Sequence, residues 1–122
     1  MTLFVYGTLM PGHLRWPMLE ADATGWRSAI APGRLYDLGQ GWPVAHFGPT
    51  ADRSVVPGVA VDLHPDRAPA CLAALDRVEG VNDGLFVRVQ VDLDEGRRAW
   101  AYGWPTPLDD DARIDRWSGP ER

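Results

Sequence analysis

Apolar and polar positions exchange quickly along this chain, and the period at which they exchange changes from segment to segment. Leu3-Phe4-Val5-Tyr6 is an unbroken apolar run, the mark of a short buried strand. Gly7 ends it at a turn, Thr8 adds a hydroxyl, and Pro11-Gly12 marks a second change of direction. Residues 13–20 have room for one or two helical turns, since Pro17 is tolerated only near a helix start. Residues 26–30 and 33–38 read as two strands around a turn at Pro32-Gly33. A glycine-flanked Gln40 and the Trp42-Pro43 step precede a short strand over 44–47. A polar turn over 48–53 leads into a strand over 55–63, where Pro57-Gly58 implies a bulge or an edge position.

Between 66 and 78 the period lengthens. Ala68, Leu72, Leu75 and Val78 recur at three- and four-residue intervals, which predicts a helix with one apolar face. Asp66 fits its N-cap, Pro69 its first turn, and Gly80 its stop signal. Asn82-Asp83-Gly84 is a turn. Residues 85–93 then alternate strictly, with Val87, Val89, Val91 and Leu93 on one face. A hairpin turn over 94–97 returns the chain through 99–104, where small residues alternate with aromatics. From 105 onward the chain is polar, and Asp109-Asp110-Asp111 is placed to cap a short helix ending near Trp117. The pattern predicts one domain over 1–122, with a core to about 104 and a polar tail over 105–122. Many short strands and one clear helix, in an order that does not alternate, indicate the α+β class. A curled sheet or small barrel fits that order better than a doubly wound parallel sheet.

Composition narrows the function classes. The chain of 122 residues carries a net charge of −5, and all 12 of its cationic residues are arginine. The arginines are scattered, with Arg97-Arg98 the one adjacent pair, so no basic patch for nucleic acid is expected. No apolar run nears the ~20 residues of a membrane span. The first residues lack the basic and long apolar segments of a secretory signal, and the one cysteine, Cys71, has no partner for an internal disulfide. A cytoplasmic location is expected. The sequence leaves the oligomeric state open.

Two places carry candidate chemistry. The loop Tyr6-Gly7-Thr8-Leu9 follows a buried strand, where several backbone N–H groups can converge on a carboxylate or an oxyanion. The same sequence also suits a plain turn that binds nothing. Glu79 ends the predicted helix, where the helix dipole disfavours a negative charge. Burial would raise its pKa further and suit it to exchange a proton near neutral pH, whereas a frayed helix end would leave an ordinary solvated carboxylate. His13, His46 and His64 lack metal-ligand spacing, so no metal is expected. Cys71 reads as a small core residue, and Ser28, Ser54 and Ser118 have no triad setting. Tyr102 is either a core residue or a pocket hydroxyl.

In combination these segments resemble the γ-glutamylcyclotransferase-like superfamily, in its small AIG2-like form. Phe4-Val5-Tyr6-Gly7-Thr8-Leu9 is similar to that family's strand and Tyr-Gly-Ser/Thr-Leu loop. Gly33-Arg34-Leu35-Tyr36-Asp37-Leu38-Gly39 with Trp42-Pro43-Val44 resembles its Gly-x-Leu-Tyr-x-Leu-Gly…Tyr-Pro-Ala segment. Leu75-Asp76-Arg77-Val78-Glu79-Gly80 resembles its Leu-Asp-x-x-Glu-Gly segment, Phe86-x-Arg88 its Tyr-x-Arg, and Ala99-Trp100-Ala101-Tyr102 its last strand. The resemblance implies a small mixed β-barrel flanked by helices and a cofactor-independent enzyme. Such an enzyme releases 5-oxoproline from a small γ-glutamyl amine, amino acid, peptide or γ-glutamyl-protected metabolite. It further implies that Tyr6, Gly7, Thr8 and Leu9 hold the γ-glutamyl group, with Trp42, Phe86 and Tyr102 in the pocket, and that Glu79 acts as general acid and base. Phe86 brings no hydroxyl where that family often has tyrosine, and Trp42 replaces another tyrosine. A non-catalytic small-molecule-binding or interaction domain on the same fold is the rival reading.

Overall fold

The computed structural model describes residues 1–117. Seven strands make one sheet: β1 (Thr2–Val5), β2 (Ala23–Asp37), β3 (Pro43–Phe47), β4 (Val55–Leu63), β5 (Val87–Asp92), β6 (Arg98–Gly103) and β7 (Arg113–Ile114). Their spatial order is β3-β2-β4-β1-β6-β5, with β7 beside β2. All pairings are antiparallel except β1 with β6, so the sheet is mixed. The sheet curls until its first strand meets the end of β6, where the Trp104 N–H donates to the Ala45 carbonyl at 2.7 Å. The result is a nearly closed barrel with helices α1 (Pro17–Glu20) and α2 (Ala68–Val78) outside it. Neither helix is long and apolar enough to cross a membrane.

β1 is buried at every position, as its unbroken apolar sequence demands. Its neighbour β4 approaches closely: a Cβ on Gly58 would stand 2.3 Å from the Val5 carbonyl oxygen and 2.8 Å from the Phe4 ring. The pairing of β1 reaches only Val59, so Pro57 lies on a locally open edge where its missing N–H costs no ladder bond. The register shift of this part of the sheet falls instead at Ala23/Gly25.

Three expectations need correction. The two strands expected around Pro32-Gly33 are one strand of 15 residues. The turn signals there mark a change of partner, from β4 for Ala23–Pro32 to β3 for Gly33–Asp37. Pro32 offers no N–H and Gly33 donates to the Ser54 carbonyl at 3.1 Å, so the ladder can transfer without a reversal. The helix begins two residues later than Asp66, because the His64 carbonyl takes the amides of Arg67 and Ala68 and forms the entry turn. Its buried face is Ala68, Cys71, Leu72 and Leu75, while Val78 is partly exposed. The third correction concerns the tail. A 3₁₀ turn over Asp110–Ala112 and the strand β7 replace the short helix, and Trp117 is buried, with its ring 5.2 Å from that of His13. Ser118 and the rest of the expected tail lie outside the described residues.

Candidate functional site

A cleft opens at the end of β1, and its walls come from distant parts of the chain. Tyr6, Gly7, Thr8 and Leu9 form one side, and Val78 and Glu79 at the end of α2 form another. Trp42, Pro43, Leu85, Phe86, Tyr102 and Arg15 complete it, around a space of about 580 Å³ counted out to the mouth. All eight residues singled out from the sequence line this one cleft.

The loop after β1 turns tightly, with the Met10 N–H donating to the Gly7 carbonyl at 3.0 Å and the Arg15 N–H to the Thr8 carbonyl at 2.8 Å. The amides of Gly7, Thr8 and Leu9 enter none of the backbone hydrogen bonds formed among the described residues outside the strand ladders. They are spare donors at the cleft wall. Gly7 is required for space and not for a left-handed turn, since a Cβ there would meet Pro43 Cδ at 2.9 Å. The Trp42-Pro43 bond is trans, as every described peptide bond is. The Tyr6 side chain runs into the barrel, and its hydroxyl bonds to main-chain groups of β3 and β6. What Tyr6 presents to the cleft is therefore chiefly apolar surface and backbone.

Glu79 caps α2 at its C-terminal end, and Gly80 follows in the left-handed conformation that stops the helix (φ 66°). The Phe86 N–H donates to the Glu79 carbonyl at 3.3 Å, which ties the two cleft residues together. The Glu79 side chain is 11% exposed, and Arg15 Nη1 lies 3.9 Å from its Oε1. Burial pushes this carboxyl above the usual carboxylate range, and the Arg15 charge opposes part of that rise. An inward-facing carboxyl of raised pKa beside spare amides is equipped to pass a proton back and forth while the amides hold an anion or an oxyanion.

The position of Glu79 is fixed one helical turn earlier. The Tyr102 hydroxyl donates to Asp76 Oδ1 at 2.7 Å, and Arg88 Nε approaches the same oxygen at 3.1 Å. The Arg88 guanidinium also lies 4.8 Å from the Trp100 ring centroid. These contacts lock α2 onto the β5–β6 hairpin. Tyr102 is thus both a core residue and part of the cleft wall, and burial raises its phenol pKa. Phe86 stands between two indoles, 5.7 Å from the Trp42 ring and 5.4 Å from the Trp104 ring. It makes that wall apolar.

Sequence reasoning missed Arg15, the one cation lining the cleft among the described residues. Nothing in the residues around Arg15 distinguishes it from a surface arginine. Pro43 was visible as part of the segment resembling the family's Tyr-Pro-Ala, but its contact with Gly7 was not. Among the described residues, no cluster of His, Cys, Asp and Glu is placed to hold a metal ion.

The family model for gamma-glutamyl cyclotransferase, AIG2-like, matches residues 3–119. No curated protein matches the chain at a significant level. Among solved structures, YkqA from Bacillus subtilis is similar with a TM-score of 0.71 and 23% identity, covering 95% of this chain and 39% of that one. An AIG2-like protein from Mus musculus is similar with a TM-score of 0.66 and 18% identity, covering 96% of this chain and 87% of that one. A structure described as a gamma-glutamyl cyclotransferase has a TM-score of 0.53 and 19% identity, covering 85% of this chain and 66% of that one. These likenesses are of fold.

Proposed function

The chain belongs to the AIG2-like gamma-glutamyl cyclotransferase family, and we propose that it releases 5-oxoproline and a free amine from a small γ-glutamyl compound. The observation that carries this reading is the pairing, in one cleft, of the buried Glu79 carboxyl with the loop of spare amides after β1.

In the proposed reaction the loop amides hold the γ-glutamyl group, and the ionised Glu79 takes a proton from its α-ammonium. The freed amine attacks the γ-carbonyl carbon, so a C–N bond forms and closes the five-membered ring. Loop N–H groups stabilise the oxyanion. Glu79 then returns its proton to the departing nitrogen as the original amide bond breaks, and the ring nitrogen gives up its second proton, by way of the same carboxylate, to the released amine, which leaves as its ammonium. Atoms balance without water or cofactor. Because nucleophile and electrophile belong to one molecule, holding it folded supplies much of the acceleration. Trp42 and Phe86 form the apolar wall against which the substrate chain bends.

The test is to incubate the protein with a panel of γ-glutamyl amines, amino acids and peptides and to measure 5-oxoproline. Product formation by the native chain that is lost in Glu79→Gln supports the reading. A native chain inactive across the panel, or an unimpaired variant, overturns it in favour of a non-catalytic binding domain. Phe86 favours that rival, because it adds no hydroxyl to the proton path.

A further inference from the structure

Among the described residues Arg15 is the cation lining the cleft, and its charge faces Glu79 without a hydrogen bond between them. Arg27, Arg67, Arg88, Arg97, Arg98 and Arg113 each approach a carboxylate within 3.3 Å. Arg15 stands 3.9 Å from Glu79, beyond hydrogen-bond distance, and its side chain is 40% exposed. None of its five side-chain N–H donors is taken within hydrogen-bond distance among the described residues. Its main chain is anchored to the loop, because its backbone N–H is bonded to the Thr8 carbonyl at 2.8 Å.

We infer that Arg15 binds a carboxylate carried by the departing amine, so that the preferred substrates are γ-glutamyl amino acids and peptides over γ-glutamyl amines. The inference rests on the proposed cyclotransferase reading. Its geometry follows from the order of exposure. Glu79 lies inward and must reach the departing nitrogen, while Arg15 lies beside it and toward the mouth. In an amino acid or peptide with a single-residue leaving group, the carboxylate carbon is two bonds from that nitrogen. A nitrogen at Glu79 therefore brings its carboxylate within reach of Arg15. In the proposed reaction the loop amides hold the γ-glutamyl group, which leaves the guanidinium for the second anion. A guanidinium suits that task, since its planar fork matches a carboxylate.

The experiment compares γ-glutamylalanine with γ-glutamylethylamine, which differ by one carboxylate, in the native chain and in Arg15→Gln. The native chain is expected to favour γ-glutamylalanine in kcat/KM. Arg15→Gln is expected to shrink that preference by roughly 10- to 100-fold, the range for one hydrogen-bonded charged contact. Loss of the cation also changes Glu79, but that change acts on both substrates and cancels in the ratio. Arg15→Lys should restore part of the preference. An equal loss on both substrates, or a native chain with no preference, overturns the inference and leaves the cyclotransferase reading standing. A native chain inactive on both compounds and on the wider panel overturns the two together.

Discussion

The hydroxyl of Tyr6 donates to the main-chain carbonyl of Tyr102 at 2.6 Å, and the same oxygen accepts the Ala45 N–H at 3.2 Å. One phenol just past the end of β1 thus spans β6 and β3 where the barrel closes. Tyr6→Phe leaves a buried amide and a buried carbonyl short of a partner, and is expected to cost about 2 kcal/mol of stability. Urea unfolding of the two proteins measures the difference. An unchanged midpoint would mean that the seam does not depend on this hydroxyl.

Glu79→Gln keeps the shape of the side chain and removes its ability to exchange a proton. It is expected to lower 5-oxoproline formation by a factor of about 100 to 10,000, the span of general acid–base catalysis. Circular dichroism should show the fold unchanged.

The raised pKa of Glu79 sets the sign of two pH effects. The carboxyl must be ionised to accept a proton, so kcat/KM should fall as pH drops through its raised pKa, above the ordinary carboxylate range. Arg15→Gln removes the opposing charge and should move that acidic limb further upward. Stability runs the other way. A carboxyl with a raised folded-state pKa favours folding most below its unfolded pKa, and that contribution is lost as pH rises through the folded value. Glu79→Gln should therefore be more stable than the native chain near neutral pH, with the gap closing in acid.

Gly7→Ala places a methyl carbon 2.9 Å from Pro43 Cδ, closer than van der Waals contact allows. Both residues belong to the cleft wall, so the loop or the Trp42-Pro43 segment must move. A stability loss of about 1–3 kcal/mol is expected, as for other overpacked sites, with a larger proportional loss of activity. A variant with native activity would show that the loop amides need no such precision.

Cys71 is buried on α2, and burial, with Asp22 adding to it, pushes its thiol up to about 11. Alkylation by iodoacetamide at mildly alkaline pH should be on the order of a hundredfold slower than for an exposed cysteine, because the thiolate is the reacting form. Denaturant should abolish the protection.

The local periods carried most of the fold. Strict alternation over 85–93 fixed β5 and its hairpin, and the three-and-four spacing around Leu72 and Leu75 fixed the helix face. Where pattern and structure part, a long-range interaction decides. Pro32-Gly33 has the composition of a reversal, yet a Cβ on Gly33 would stand 2.7 Å from the His46 carbonyl oxygen, so the glycine serves close strand approach. The polar composition beyond 105 hides Trp117, which joins a core cluster drawn from distant strands, with the His13 ring 5.2 Å away. At the cleft, the loop and Glu79 were legible because local backbone signals mark strand and helix ends. Arg15 was not, since its distinction is the absence of a tight carboxylate partner, which only the folded chain reveals.

The parallel pairing of Leu3 with Trp100 joins the two ends of the described chain. A contact of such sequence separation carries a loop-closure cost that the hairpins do not, and it slows folding. β2–β3 and β5–β6 can form within their own neighbourhoods, but the loop after β1 meets Glu79 and Tyr102 only when β1 inserts between β4 and β6. The cleft is thus expected to form only with that pairing. In refolding, strand signal should return first, and ligand-competent protein should appear only with the last and longest-range pairing.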